Sequence, residues 1–477
     1  MTSTRDKNPR AFRYTRSALI RGLGLVYVSA FGSLAVQVDG LFGSRGILPA
    51  REYFNEVGNV LGPGLSRYRF LPSLLWINGS DGMLHLLCWG GMLMAAAVVA
   101  GLLPGPLLVL LWLFYLSLTT AGQVFLGYQW DALLLEAGFL AILLAPWGLW
   151  LHQARDEPWR PTIWLFRWLV FRLMFLSGVV KLASGDASWR SWTALTYHYQ
   201  TQPLPTWTSW YVHQLPARFH WLSVGFLFYA ELIAPFFIFG PRLVRLAGFV
   251  SLVLLQTLIA ATGNYGFFNL LTVILCLSLL DDRDWNGLKS CWTRLRRRRP
   301  GGTILTEPVP HRVWPLGRRI VVASIGTVLV VATFGLVVEA VWREAPVPGE
   351  VVMVQNWLAP LRIVNSYGLF AVMTTRRSEI TVEGSDDGET WKPYRFRWKP
   401  GELDHRPRFA PWHLPRLDWQ MWFAALRGNC LREAWFLRFE DRLLEGSPEV
   451  LALLRDNPFP ARPPLFIRAR LEGYQFT

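Results

Sequence analysis

The sequence predicts a polytopic α-helical membrane protein with about nine transmembrane helices and a C-terminal soluble domain of α+β or β-sandwich-like build. Three observations carry that prediction. Apolar residues, 52% of the chain, come in blocks of about 20, the length that crosses a bilayer core. Lysine and arginine are unevenly shared among the segments that join those blocks. After Trp342 the composition turns polar and rich in turn residues, as a separate domain would.

The blocks run near Leu19–Val38, Met83–Leu103, Pro106–Gly122, Leu133–Leu151, Thr162–Leu182, Phe219–Gly240, Leu246–Thr262, Gly266–Leu280 and Ile320–Val341. The first is too long for a signal-peptide core and has no small-residue cleavage site, so it reads as a retained span. With the N-terminus inside, the inner segments hold 19 Lys and Arg against 6 in the longer outer ones, which sets N-in, C-out. The boundaries are a basic cytoplasmic tail over 1–18, about eight spans over 19–280, an Arg-rich cytoplasmic loop over 281–319, a last span over 320–341 and an outer domain over 342–477. The Arg294–Arg299 run is then a topological anchor.

The formal charge of +15 is the kind of excess that also marks nucleic-acid binders, but here the topology of a membrane protein accounts for it, and nucleic acid is set aside. Cys88, Cys276, Cys291 and Cys430 are scattered, with no CxxC, which disfavours thiol redox chemistry and structural zinc. In the outer domain, 350–357, 363–374, 379–384 and 390–398 alternate like strands, with the Gly384–Gly388 stretch as a hairpin turn. Asp418–Leu426 and Glu433–Leu444 have helical periodicity, Ser447 is placed to cap a short helix, and Leu465–Phe476 closes as a strand. With Cys430 alone in this domain, no internal disulfide staples it.

The span over Trp164–Leu182 carries Arg167, Arg172 and Lys181. Each costs roughly 2.5–3.5 kcal/mol at a bilayer centre, so each should face a partner. Depth along the helices places Arg172 and Glu231 near the midplane, as an intramembrane ion pair that either locks two helices or lines a path. Pro235 crowds the carbonyl of Glu231, so the kink and the charge coincide. Lys181 either snorkels to the interface or is a buried base facing an outer polar cluster of Asp39, Asp131, Glu136, His198 and Asn264. Asp131 and Glu136 lie about 140° apart round a helix, so two separate partners are expected. Trp189, Trp192, Trp207 and Trp210 either lie at headgroup level or form a client-facing lip. His198 and His213 lack a carboxylate partner, and no metal ligand is assigned; the GSDDG turn is chiefly turn chemistry.

The motifs Gln37–Pro49 (QVDGLFGSRGILP), Gln129–Pro146 (QWDALLLEAGFLAILLAP) and Gly263–Thr272 (GNYGFFNLLT) resemble the membrane domain of the lipase maturation factor family. Glu383–Trp391 (EGSDDGETW), Arg416–Leu426 (RLDWQMWFAAL), Gly446–Leu454 and Asn457–Phe459 resemble that family's C-terminal domain. The likeness spans nearly the whole chain. It implies a membrane-embedded, chaperone-like factor in protein maturation, whose soluble domain faces the secretory side and helps secreted lipases fold and assemble. It implies the endoplasmic reticulum membrane in a eukaryote and the plasma membrane in a bacterium, with membrane lipids and an exported client as partners, and it carries over no catalytic residue and no cofactor. A more distant likeness joins Gly178–Trp189 (GVVKLASGDASW) to the membrane domain of vitamin K-dependent γ-glutamyl carboxylase, with Lys181 on that family's catalytic lysine and Val180 in place of its first lysine. That likeness implies the alternative, a membrane enzyme with Lys181 as base and a quinone-type lipid-soluble cofactor. A transporter is the weakest reading, since no inverted repeat is visible.

Overall fold

A computed structural model describes residues 11–154, 156–295, 314–342, 344–402, 405–428 and 433–476. Residues 1–10 of the basic tail, Cys430 and the Arg294–Arg299 side chains lie outside the described set.

Among the described residues, nine apolar helices follow in order: α1 (Arg13–Ala35), α2 (Asp81–Ala100), α3 (Pro104–Ala121), α4 (Gln129–Leu144), α5 (Arg160–Ala183), α6 (Ala217–Phe239), α7 (Arg242–Thr262), α8 (Phe268–Cys276) and α9 (Leu316–Val341). Among the described residues, seven are long and apolar enough to cross a membrane, all but α4 and α8. Those two short helices are largely buried inside the bundle. Local chemistry sets several boundaries. Ser80 accepts a hydrogen bond from Met83 N to start α2, left-handed Gly101 ends it, and Pro104 and Pro161 open α3 and α5, where a missing N–H costs nothing. In α6, Pro235 cannot continue the α-helical ladder. The helix passes through a π turn over Tyr229–Ile233 and a 3₁₀ stretch over Ala234–Phe239, and the π turn carries Glu231.

The C-terminal region holds α10 (Gly349–Leu358), β1 (Arg377–Ser385), β2 (Lys392–Pro393), α11 (Arg416–Arg427), α12 (Ala434–Leu444), α13 (Pro448–Leu451) and β3 (Phe466–Tyr474). Its one sheet among the described residues has the order β2-β1-β3, all antiparallel, with β1 and β3 in register from Arg377↔Tyr474 to Ser385↔Phe466. This is the α+β alternative rather than the sandwich. The GSDDG stretch does join β1 to β2, with Asp387 accepting from Glu389 N and Thr390 N.

Two of the predicted strands are absent. Residues 350–357 form helix α10, which Pro348 starts and which packs on α9 through Gln355 Nε2 donating to Ala332 O (2.9 Å). Packing there outweighs the β preference of Val351 and Val352. Residues 363–374 form a loop that plugs between α4 and α5, with Ile363 and Tyr367 buried. Its alternating apolar residues fill a helical groove, and side chains rather than a neighbouring strand bond its backbone. Ser447 sits at the start of α13 but does not cap it; its hydroxyl donates to Arg45 O (2.8 Å).

The polar ends of the bundle separate cleanly. At one end Phe12 N and Arg13 N donate to Glu157 and Asp282, Trp314 Nε1 donates to Asp156, and Arg245 pairs with Asp281. At the other end sit residues 37–46, 123–131, 200–209 and 263–266, against the C-terminal region. One hydrophobic core runs from Phe12 through the bundle to Phe459, and a smaller cluster about Trp189, Leu195, Val224 and Met373 lies beside it. The two parts of the chain are fused by packing.

Candidate functional site

The seam between the bundle and the C-terminal region is built from three side-chain amides, each pairing with backbone as a strand would. Gln37 accepts from Arg416 N (2.9 Å) and donates to Leu414 O (3.0 Å). Gln129 accepts from Gly368 N (3.0 Å) and donates to Gly368 O (3.1 Å). Asn264 accepts from Ala410 N (2.7 Å) and donates to Arg408 O (2.8 Å). An amide offers one acceptor and two donors, so each satisfies both polarities of a buried peptide segment.

Two carboxylates of α4 complete the seam. Asp131 receives both ends of the Arg416 guanidinium, at 2.9 and 2.8 Å, as well as the Tyr115 hydroxyl, and Arg416 also donates to Phe125 O. Both charged groups are 1% exposed or less, so the pair depends on its bidentate geometry and on the added contacts to Tyr115 and Phe125 O, while Arg416 Nε has no partner among the described residues. One turn deeper, Glu136 takes Arg172 of α5 together with Tyr367 Oη (2.6 Å) and Asn365 Nδ2 (3.0 Å) of the plug loop. Arg172 in turn donates to Asn365 O (3.0 Å). Gly368 is a requirement of this close approach, since a Cβ there would lie 2.6 Å from Val180 of α5.

The second constellation lies across α5. Lys181 Nζ donates to both Glu231 oxygens (2.9 Å each) and to Ser177 O (3.0 Å), which uses all three of its donor directions. Two features bring the pair together. The π turn swings Glu231 towards α5, and Gly178 leaves room, because a Cβ there would lie 2.6 Å from Leu232 and 3.1 Å from the Glu231 Cβ. Beyond Lys181 the chain breaks at Asp186, which accepts from Ser188 N (2.7 Å), Trp189 N (3.2 Å) and Met373 N (2.9 Å). Trp189 is thereby packed inward, 5.5 Å from Lys181 Nζ, with its Nε1 donating to Phe370 O (3.0 Å).

These groups form one wall of a cavity of about 490 Å³. Leu173, Met174, Leu255 and Phe268 line its depth, and Phe219, Leu222, Leu254 and Leu258 its mouth. His198 lines it too, 3.4 Å from Tyr265 Oη. Burial, with the Lys181 charge second, pushes His198 down to about 4, so it is neutral at pH 7. Among the described residues, no three His, Cys, Asp or Glu side chains are grouped to hold a metal ion.

The family description "Lipase maturation factor transmembrane domain" matches residues 14–287, and "Lipase maturation factor C-terminal domain" matches residues 363–477. The chain is 37% identical to lipase maturation factor 2 of Xenopus laevis, over 98% of this chain and 79% of that protein. It is 35% identical to human lipase maturation factor 2, over 98% and 80%, and 33% identical to mouse lipase maturation factor 1, over 98% and 83%. The chain belongs to the lipase maturation factor family. No solved structure matches it.

The three membrane-domain motifs that carry the lipase maturation factor resemblance are the ones that grip the C-terminal region. QVDG supplies Gln37, QWDALLLEAG supplies Gln129, Asp131 and Glu136, and GNYG supplies Asn264; the C-terminal RLDW supplies Arg416.

The structure redistributes the residues expected to meet. The Arg172–Glu231 pair does not form: Arg172 takes Glu136, and Glu231 takes Lys181. Depth along a helix says nothing of direction round it. Lys181 is buried, not snorkelled. The outer polar cluster splits five ways. Asp39 meets His85 near the surface, Asp131 and Glu136 take their separate partners, Asn264 binds backbone, and only Lys181 and His198 share the cavity. Trp189 faces inward, whereas Trp192 and Trp207 are exposed at 49% and 37% and Trp210 is half-buried. Gln37, Gln129, Gly178, Gly368, Tyr367, Asn365 and Arg416 went unassigned from sequence. The available signal was that every long motif falls at the same end of the spans and carries an amide or carboxylate.

Proposed function

We propose that this chain is a membrane-embedded maturation factor for exported proteins, with lipase-type clients, and that it works as a non-catalytic scaffold. The observation that carries this reading is the match of 98% of the chain to relatives named lipase maturation factors, together with a C-terminal region fused to the bundle through that family's own motifs. The uneven sharing of Lys and Arg supports a cytoplasmic N-terminus and a C-terminal region on the lumenal or extracytoplasmic side. There the exposed Trp192 and Trp207, with Trp210, would offer aromatic surface to a partly folded client. Lys181 supports the scaffold reading over a base, because every donor direction is already committed to Glu231 and Ser177.

The test is to supply the full chain to cells that lack endogenous lipase maturation factors and export a homodimeric lipase, and to measure the lipase's specific activity and dimer fraction. The proposal expects both to rise, and to fall again with Trp192→Ala/Trp207→Ala while the factor's abundance is unchanged. An unchanged lipase, with no exported protein captured by cross-linking, contradicts it.

A further inference from the structure

The cavity beside Lys181 has features that the scaffold role does not use. Its walls are almost wholly apolar, and Phe219 (43% exposed), Leu222 (76%), Leu254 (46%) and Leu258 (48%) set its mouth on the bundle's outer, lipid-facing surface. Its volume, about 490 Å³, falls within the roughly 300–1,000 Å³ of small-molecule pockets. One polar group inside it is unspent. Gln256 is 4% exposed and lines the cavity, its Nε2 has only the Met174 sulfur at 3.8 Å, and its Oε1 receives no donor among the described residues. Turning the amide over would set Oε1 against the Met174 sulfur, which has no hydrogen to donate, and leave both ends unpaired. A buried amide oxygen without a donor is costly, and a ligand that brings an O–H removes the cost.

The charge inside the cavity is equally informative. Lys181 and Glu231 neutralise each other through a two-oxygen contact. No net charge is left to hold a carboxylate, phosphate or ammonium head, and desolvating one there would be unfavourable.

We infer that this cavity binds a neutral, single-chain lipid whose hydroxyl head donates to Gln256 and whose alkyl chain lies along Leu173, Leu255 and Phe268. A monoacylglycerol and a long-chain alcohol share this chemistry. Entry is sideways from the bilayer between α6 and α7, through the Leu222–Leu254 mouth. A fatty-acid anion lacks the O–H and adds charge, and a methyl ester lacks the O–H.

The experiment uses the full chain in phosphatidylcholine nanodiscs, a monoacylglycerol bearing a diazirine in its chain, and peptide mapping of the photolabel. Monoolein, oleyl alcohol, methyl oleate and oleate are the competitors. The expected result is labelling at Leu195, Leu255 or neighbouring cavity residues, displaced by monoolein or oleyl alcohol about 5-fold better than by methyl oleate or oleate, the factor that one net hydrogen bond gives. Whichever hydroxyl lipid competes better identifies the source. Gln256→Leu should keep the label and lose the 5-fold preference. Leu195→Phe, which narrows the cavity from the opposite wall, should lose the cavity label while label at remote lipid-facing residues such as Leu243 persists; it also covers the case in which Gln256→Leu does not fold. Label spread evenly over the lipid-facing surface, equal competition by methyl oleate, or an unchanged preference in Gln256→Leu would each overturn the inference.

Discussion

Two buried ion pairs of this bundle do different work. Asp131–Arg416 joins residues 285 apart in sequence across the seam, and every oxygen of the carboxylate is taken. Lys181–Glu231 joins two neighbouring spans, 50 residues apart, on the wall of a cavity. The first is sealed; the second has space in front of it. A charge in a membrane helix therefore need not mark a path, since α4 spends both of its carboxylates on anchoring a domain that sequence alone presents as separate.

Breaking each pair should expose that contrast. The largest effect is expected at the seam. Arg416→Met or Asp131→Asn alone leaves a buried charge without its partner and should cost roughly 3–5 kcal/mol of stability. It should be read as lost monodisperse yield and as new protease sensitivity in 363–374. The Asp131→Leu/Arg416→Met double should recover much of that loss, because a buried pair is replaced by apolar contact. Lys181→Met or Glu231→Gln should cost less, about 2 kcal/mol, between the limits for exposed and buried pairs, because the space in front of the pair lets the surviving side chain relax. Thermal unfolding in a fixed detergent ranks the two pairs, and equal losses would erase the contrast.

The amide contacts sharpen the same comparison. Gln129→Ala and Asn264→Ala each strand one backbone donor and one acceptor, and each should cost roughly 1–3 kcal/mol, visible as faster hydrogen exchange at Gly368 and Ala410 respectively.

The smallest effect is a pH dependence of the seam. His413 faces Ser33 Oγ at 3.1 Å, and burial, then the Arg416 and Arg397 charges, pushes it down to about 4. The unfolded chain takes up this proton near pH 6.5 and the folded one near 4. Stability is therefore present above 6.5 and lost as pH falls towards 4, by up to about 3 kcal/mol from this group alone, before the opposing contribution of Asp418. Asp418, which accepts from Trp398 N and Lys399 N, is pushed up to about 6 by burial and acts in the opposite sense. Its folded form takes the proton first, so acidification from 6 to about 4 favours the fold. His413→Gln should flatten the acid limb of a stability–pH curve, and Asp418→Asn should steepen it.

What the sequence made legible follows from which forces are local. Hydropathy marked all nine apolar helices, and the angle between Asp131 and Glu136 announced separate partners. It overstated the length of α4, because buried apolar residues after Leu144 look the same in hydropathy whether or not they stay helical. Depth matches Arg172 to the wrong carboxylate, because the π turn at Glu231 changes direction without changing depth. Alternation predicts a strand where the plug loop lies, because it reports burial on one side, whichever surface provides it. The amide seam was illegible in meaning though visible as motifs: the partners of Gln37, Gln129 and Asn264 are backbone groups 144 to 379 residues away, and backbone carries no sequence signal.

The measurement that tests this account most directly is a nick. A protease site inserted after exposed Pro346 would sever the chain between α9 and α10 without removing a residue of the seam. After cleavage and a high-salt wash, the account predicts that the C-terminal fragment stays with the membrane, because buried pairs are little screened, and that it is released when Asp131 is changed to Asn. A fragment that leaves the intact wild-type bundle as a folded soluble domain would contradict it.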